Sequence, residues 1–166
     1  AAWCYTGGKR PYGYAGGGEL AVFLFFGLAA TVGTVWLLSR QAPLAAWLAG
    51  AGMGFFAVAV LVVNNTRDIA TDRLTGKHTI SVRIGDRASR WLFVVCVLLP
   101  FAVPGIYAST FAGMRWVWLL LIPALWLCAT TLQARQPHQL APVLGLTSLT
   151  TLAYGLLLGA AFSGVI

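Results

Sequence analysis

The stretch NNTRDIATDRLTGKHTISVRIGDRASR, residues 64–90, is a polar segment between two long apolar runs. It holds three of the four acidic residues of the chain and six of its eleven basic residues. A chain this apolar keeps so many charges together only where water or a charged ligand can meet them. Residues 64–90 are therefore the first place to look for function.

The chain as a whole has the composition of a membrane protein. It is 59% hydrophobic and 9% charged, whereas soluble domains carry about 25% charged residues. Its apolar runs are long enough to cross a bilayer. They predict an all-α, multi-pass helical bundle in one unit, with five spans at about 20–38, 44–63, 91–107, 116–132 and 140–162.

Basic residues are distributed unequally between the two ends of these spans. One side carries nine of them and the other carries only Arg40 and Arg115. Since basic loops stay in the cytoplasm, we expect residues 64–90 on the cytoplasmic face of the cell inner (plasma) membrane. The net charge of +7 is explained by this topology and does not indicate a nucleic-acid partner.

Acidic and amide side chains recur at a helical spacing where the second span ends. Asn64, Asp68 and Asp72 are four residues apart, so a helix continuing past Val63 would place them on one face. Carboxylate and amide oxygens suit Mg²⁺, which binds one or two carboxylates together with substrate phosphates. These three residues are the predicted metal ligands.

Basic residues surround this predicted metal site. Arg67, Arg73, Lys77 and Arg83 are near in sequence, and such side chains bind phosphate oxygens. The mixture of signs predicts a magnesium-bridged anion, with Asp68, Asp72, Lys77 and Arg83 as the catalytic residues. Arg87 and Arg90 are interpreted as topology signals only.

The neighbouring polar and aromatic residues complete the candidate set. Asn65 is expected to bond a neighbouring helix end or the substrate, and Glu19 to cap the first span. Tyr12 and Tyr14 are either interfacial anchors or part of the site wall. Four rings are candidates to stabilise a cation by cation–π contact: Tyr12, Tyr14, Phe55 and Tyr154.

The segment NNTRDIATDRLTGKHTISVRIG, residues 64–85, resembles the second signature of the UbiA family of intramembrane aromatic prenyltransferases. The loop YTGGKRPYGYAGGGE, residues 5–19, resembles the loop before the fifth span in the branch that prenylates 1,4-dihydroxy-2-naphthoate. The likeness covers nearly the whole chain and includes the pattern N-N-x-R-D-x-x-x-D followed by G-K-x-T and V-R-x-G.

This resemblance implies a function and a larger architecture. Asn64, Asp68 and Asp72 match positions that bind Mg²⁺ and the diphosphate of a polyprenyl donor. Lys77 and Arg83 match basic residues that hold diphosphate or shape the loop, and Asn65, Arg67, Tyr12 and Tyr14 are assigned to substrate. The implied reaction prenylates 1,4-dihydroxy-2-naphthoate with loss of its carboxylate and gives demethylmenaquinone, in menaquinone biosynthesis.

The implied fold is a nine-helix bundle with a lateral opening to lipid. Residues 1–166 would be its C-terminal part, because the family's first Asp-rich motif does not occur in them. Other functions remain open, namely another aromatic prenyltransferase of the family, a non-catalytic membrane subunit or a transporter fragment. A transporter would place charge inside its spans, and the predicted spans carry none.

Overall fold

The computed structural model describes residues 13, 14 and 16–166. In this part of the chain, five helices are long and apolar enough to cross a membrane, which confirms the predicted all-α, multi-pass fold. They are α1 (Gly18–Ser39), α2 (Leu44–Arg67), α5 (Asp86–Tyr107), α6 (Met114–Gln133) and α7 (Pro137–Ser163). The short helices α3 (Ile69–Leu74) and α4 (Ile80–Ile84) connect α2 to α5.

Helix α2 is the centre of the bundle. It packs against α1 on one side and against α5 and α7 on the others, while α6 closes the arrangement against α5 and α7. Its interior face is made of small and medium apolar residues, including Ala59, Val62 and Val63, which are almost fully buried. The polar end of α2 is thus held by several neighbouring spans.

Glycines let α1 approach α2 closely. A methyl group on Gly27 would lie 2.7 Å from the carbonyl oxygen of Gly50 and would also meet the Cα of Gly54. These are backbone atoms, so a side chain at residue 27 has no room unless the helices separate. In lipid, the hydrophobic effect does not drive helices together. Small residues at a crossing let two helices come close enough for van der Waals packing to hold them.

A buried aromatic cluster joins α2, α5 and α7. The rings of Phe56, Phe101 and Tyr154 are 5.0 to 6.3 Å apart, and the Tyr154 hydroxyl donates to the Pro100 carbonyl at 2.7 Å. That carbonyl lacks its helical donor because the residue four positions later is Pro104, which has no N–H. Tyr154 is fully buried here, so the expectation that it faces a reacting cation is wrong.

Arg90 has a structural role that the sequence interpretation missed. Its guanidinium pairs with Asp86, with Nε 2.7 Å from Oδ2, and also donates to the Thr131 carbonyl. Its side chain is only 11% exposed. Arg90 therefore ties α5 to the end of α6, and its interpretation as a topology signal alone is corrected.

The α1–α2 crossing predicts unequal effects of two similar substitutions. We expect Gly27→Ala to destabilise the protein by about 1–3 kcal/mol, the usual range for overpacking. Gly33→Ala is the matched control on the same helix, because a methyl group there meets no atom within 4 Å. It is expected to be neutral or slightly stabilising, since Ala favours helix over Gly. Thermal unfolding in detergent measures both, and equal stability of the two variants would contradict this packing.

Candidate functional site

The end of α2 and the short helix α3 carry the predicted acidic residues in one continuous ladder. The Asp68 N–H donates to the Asn64 carbonyl at 3.1 Å, and the Asp72 N–H donates to the Asp68 carbonyl at 2.8 Å. Asp68 itself leaves helical geometry, with φ −97° and ψ 7°. The spacing of four thus survives a bend at Asp68, and the three residues follow one another beyond the apolar span.

Arg67 connects the first two of these residues. Its Nε and Nη2 donate to the two Asp68 carboxylate oxygens at 2.7 and 2.8 Å, and Nη2 also donates to Asn64 Oδ1 at 2.9 Å. One cationic nitrogen therefore touches an oxygen of Asn64 and an oxygen of Asp68. The hydrogen bond from Arg67 lowers the pKa of Asp68 below its usual value, so the carboxylate stays ionised.

Lys77 holds the third acidic residue. Gly76, at φ +73°, turns the chain after α3, and the Lys77 ammonium comes to 3.1 Å from Asp72 Oδ1. The Asp72 side chain is 7% exposed, so this pair faces the protein. The hydrogen bond to Asp72 raises the pKa of Lys77, and the Asp68 charge adds to the rise. Lys77 is thus in the field of both carboxylates.

The loop before α1 packs over these charges. The His78 N–H donates to the Tyr14 carbonyl at 2.8 Å, and the Lys77 ammonium lies 5.1 Å from the centre of the Tyr14 ring. Arg83 donates to the His78 carbonyl at 3.1 Å and lies against Gly16. Tyr14, Lys77 and Arg83 are therefore neighbours. Tyr12 lies outside the described residues.

Glu19 belongs to the same region, and the sequence interpretation missed it as a site residue. It stands in the first turn of α1, where a carboxylate favours the positive end of the helix dipole, as predicted from the sequence. In addition, Glu19 is buried and its Oε1 accepts from Asn65 Nδ2 at 3.1 Å. One signal was present in the sequence, since Glu19 is the only acidic residue outside residues 64–90.

A groove lined by α1, α2 and α7 begins beside this site. Its volume is about 620 Å³ and Asn64 is its polar residue from α2. The other lining residues are mostly apolar: Val22, Phe26, Ala57, Val60, Leu61, Leu144, Ser148 and Thr151. The site therefore joins a charged end of the bundle to an apolar channel along the spans.

The available oxygens fit a magnesium ion shared with a substrate. In the described part of the chain, no three His, Cys, Asp or Glu side chains meet closely enough to hold a metal ion. Two carboxylates and one amide oxygen do line this end of α2, which is the donor set of Mg²⁺ sites completed by substrate phosphates and waters. The Arg67 guanidinium now bridges two of those oxygens, as a bound cation would.

The Arg67 contact predicts a pH-dependent difference in stability. Because the folded-state pKa of Asp68 is depressed, its contribution is complete above the ordinary Asp pKa of 3.8 and is lost as the pH falls through the folded value. The excess stability of the wild type over Arg67→Gln should therefore shrink below that pH. Thermal unfolding between neutral and acidic pH measures it, with Arg73→Gln at an exposed position as control. A difference constant at all pH values would contradict the assignment.

The fold and the site define an integral membrane protein with an acidic and basic cluster at the end of its spans. The model of the UbiA prenyltransferase family matches residues 1–143. The chain therefore belongs to the UbiA prenyltransferase family, as the signature in residues 64–85 implied.

Curated relatives point to one branch of this family. The chain is 41% identical over 123 residues to the 1,4-dihydroxy-2-naphthoate octaprenyltransferase of Mycobacterium tuberculosis, covering 67% of this chain and 42% of the relative. It is 36% identical over 162 residues to the Haemophilus influenzae protein of that name, covering 95% and 52%. For the Escherichia coli protein of that name the identity is 38% over 125 residues, covering 75% and 40%.

The chain spans about half or less of the length of these relatives. No solved structure matches it. The family assignment therefore rests on the sequence comparisons.

Proposed function

We propose that this protein transfers a polyprenyl group from polyprenyl diphosphate to 1,4-dihydroxy-2-naphthoate, in the Mg²⁺-dependent step of menaquinone biosynthesis that gives demethylmenaquinone. The observation that carries the proposal is that Asp68 and Asp72, each paired with a basic residue, follow Asn64 at the end of α2, and that Asn64 lines an apolar groove. The names of the relatives supply the acceptor and the polyprenyl class.

Asn64, Asp68 and Asp72 would hold Mg²⁺ in this proposal. When bound, the ion neutralises negative charge on the diphosphate leaving group. Arg67 donates hydrogen bonds to Asp68 and Asn64 in the free protein. Its side chain is 30% exposed, so it has room to turn towards the diphosphate. Lys77 and Arg83 add positive charge where the leaving group becomes more negative.

The groove suits the prenyl chain. Its lining is mostly apolar, so a long isoprenoid tail would leave water on binding there. Because Asn64 is at the end of the groove nearest the carboxylates, we expect the diphosphate at the charged end and the tail along α2. The same groove keeps water from the allylic carbon, where a cation would otherwise be hydrolysed.

Tyr14 and the loop around it would close the charged end over the substrates. The ring already lies over Lys77, and an aromatic face near the reacting carbon favours positive charge. The proposed location is the inner (plasma) membrane with this end cytoplasmic, because basic residues concentrate there. The partners are then the donor, the aromatic acceptor and the bilayer.

Removing the carboxylates tests the proposed activity directly. Asp68→Ala combined with Asp72→Ala should lower Mg²⁺-dependent prenyl transfer by more than about 100-fold, beyond the effect of losing an outer-shell partner. Asp86→Asn is the matched control, because Asp86 is an exposed carboxylate paired with Arg90. Prenyl transfer in membranes measures both. Wild-type activity in the double variant would rule out the metal assignment, and inactivity of the wild-type protein would favour a non-catalytic subunit.

A large side chain in the groove should lower the activity with long prenyl donors more than the activity with short ones. Ser148 lines the groove, whereas its neighbour Leu149 does not and is 61% exposed. Ser148→Trp is expected to lower kcat/KM for an octaprenyl donor by about 10-fold, or roughly 1.4 kcal/mol of lost binding. A one-isoprene donor should be little affected.

Leu149→Trp is the control, because it adds the same ring to the same helix but outside the groove. It should leave kcat/KM unchanged for both donors, measured as initial rates over a range of donor concentrations. If the two tryptophan variants behave alike, the prenyl chain does not lie in this groove.

A further inference from the structure

We propose that Glu19 is a positioning residue of the metal–diphosphate site, acting through the side-chain amide of Asn65. This inference rests on the proposed function. Glu19 is distant in sequence from the acidic motif, and the pattern that indicates Mg²⁺ binding does not include it.

The burial of Glu19 is the first reason. Glu19 is 6% exposed and Asn65 is 9% exposed; Glu19 lies in the first turn of α1 and Asn65 in the last turn of α2. Among the described residues, Glu19 has no basic partner in an ion pair. Burying a carboxylate without a cationic partner costs free energy. Glutamine would accept the same hydrogen bond at lower cost, so packing alone does not require Glu19.

The direction of the hydrogen bond is the second reason. An ionised carboxylate only accepts hydrogen bonds, whereas an amide has a donor nitrogen at one end and an acceptor oxygen at the other. Glu19 therefore fixes which way round Asn65 stands, with Nδ2 towards Glu19. Asn65 Oδ1 is thereby left facing away from Glu19.

The place of Asn65 on the helix is the third reason. It lies in the last turn of α2, between Asn64 and the Arg67–Asp68 pair. Asn65 and Asp72 are both buried. The oriented Oδ1 is thus an additional oxygen on the helical turn that would hold the metal. Carboxylates that orient a liganding side chain act in this way at other metal sites.

The role of Glu19 can be tested by measuring how tightly the protein binds a donor analogue, because this measurement needs no catalytic turnover. Wild-type protein in nanodiscs is titrated with farnesyl thiodiphosphate in the presence of Mg²⁺, and the dissociation constant is measured by calorimetry. Glu19→Gln can present either end of its amide, so it no longer fixes Asn65. It should weaken Mg²⁺-dependent binding by about 10–100-fold, while its melting temperature in the absence of ligand stays near that of the wild type.

Two further variants separate positioning from a general defect. In an Asn65→Ala background, Glu19→Gln should cause no additional loss, because the two residues act as one unit. Asp86→Asn should bind the analogue as the wild type does. If Glu19→Gln does not fold, Asn65→Ser provides the second route to the same loss of binding.

Three results would overturn the inference. The first is wild-type affinity for the analogue in Glu19→Gln, and the second is a full additional loss of affinity when Glu19→Gln is made in the Asn65→Ala background. The third is failure of the wild-type protein to bind the analogue with Mg²⁺, which would refute the proposed function itself and with it the role of Glu19. The first two leave the proposed function intact, so the two failures are distinguishable.

Discussion

The backbone hydrogen-bond ladder of α2 continues past its apolar span as far as Asp72, and it fixes where the polar side chains stand. In lipid, every backbone group needs an internal partner, and charged side chains are kept to the helix ends. The ladder meets both demands by running through Asn64 and Asp68 to Asp72 despite the bend. Polar side chains are thereby presented at a fixed spacing, immediately beyond the part of α2 that other spans hold in place.

Charge balance within the site follows from this arrangement. Asp68 is paired with Arg67 and Asp72 with Lys77, and Arg83 lies nearby against the His78 carbonyl. Each carboxylate already has a cationic partner, which stabilises the site before any ligand arrives. In the proposed function, Asn64, Asp68 and Asp72 would hold Mg²⁺, and the nearby basic side chains would be available to the diphosphate.

Much of this could be predicted from the sequence, because it depends on local patterns. Long uncharged runs identify the five spans, and the spacing of Asn64, Asp68 and Asp72 needs only a helix to become a shared face. The missed features are pairings between distant segments. Glu19 meets Asn65, Arg90 meets the end of α6, and Tyr154 meets the carbonyl that Pro104 leaves unpaired. None of these contacts leaves a local pattern, since each depends on how the spans pack.

We propose that the polar end of α2 is the metal–diphosphate site. An experimental structure of the protein with Mg²⁺ and farnesyl thiodiphosphate would test this proposal. We expect an ion with oxygens of Asp68 and Asp72 at about 2.0–2.1 Å, the usual Mg²⁺ distance, and the farnesyl chain along the groove beside Asn64. An ion and diphosphate held elsewhere, with Arg67 and Lys77 still paired to their carboxylates, would contradict it.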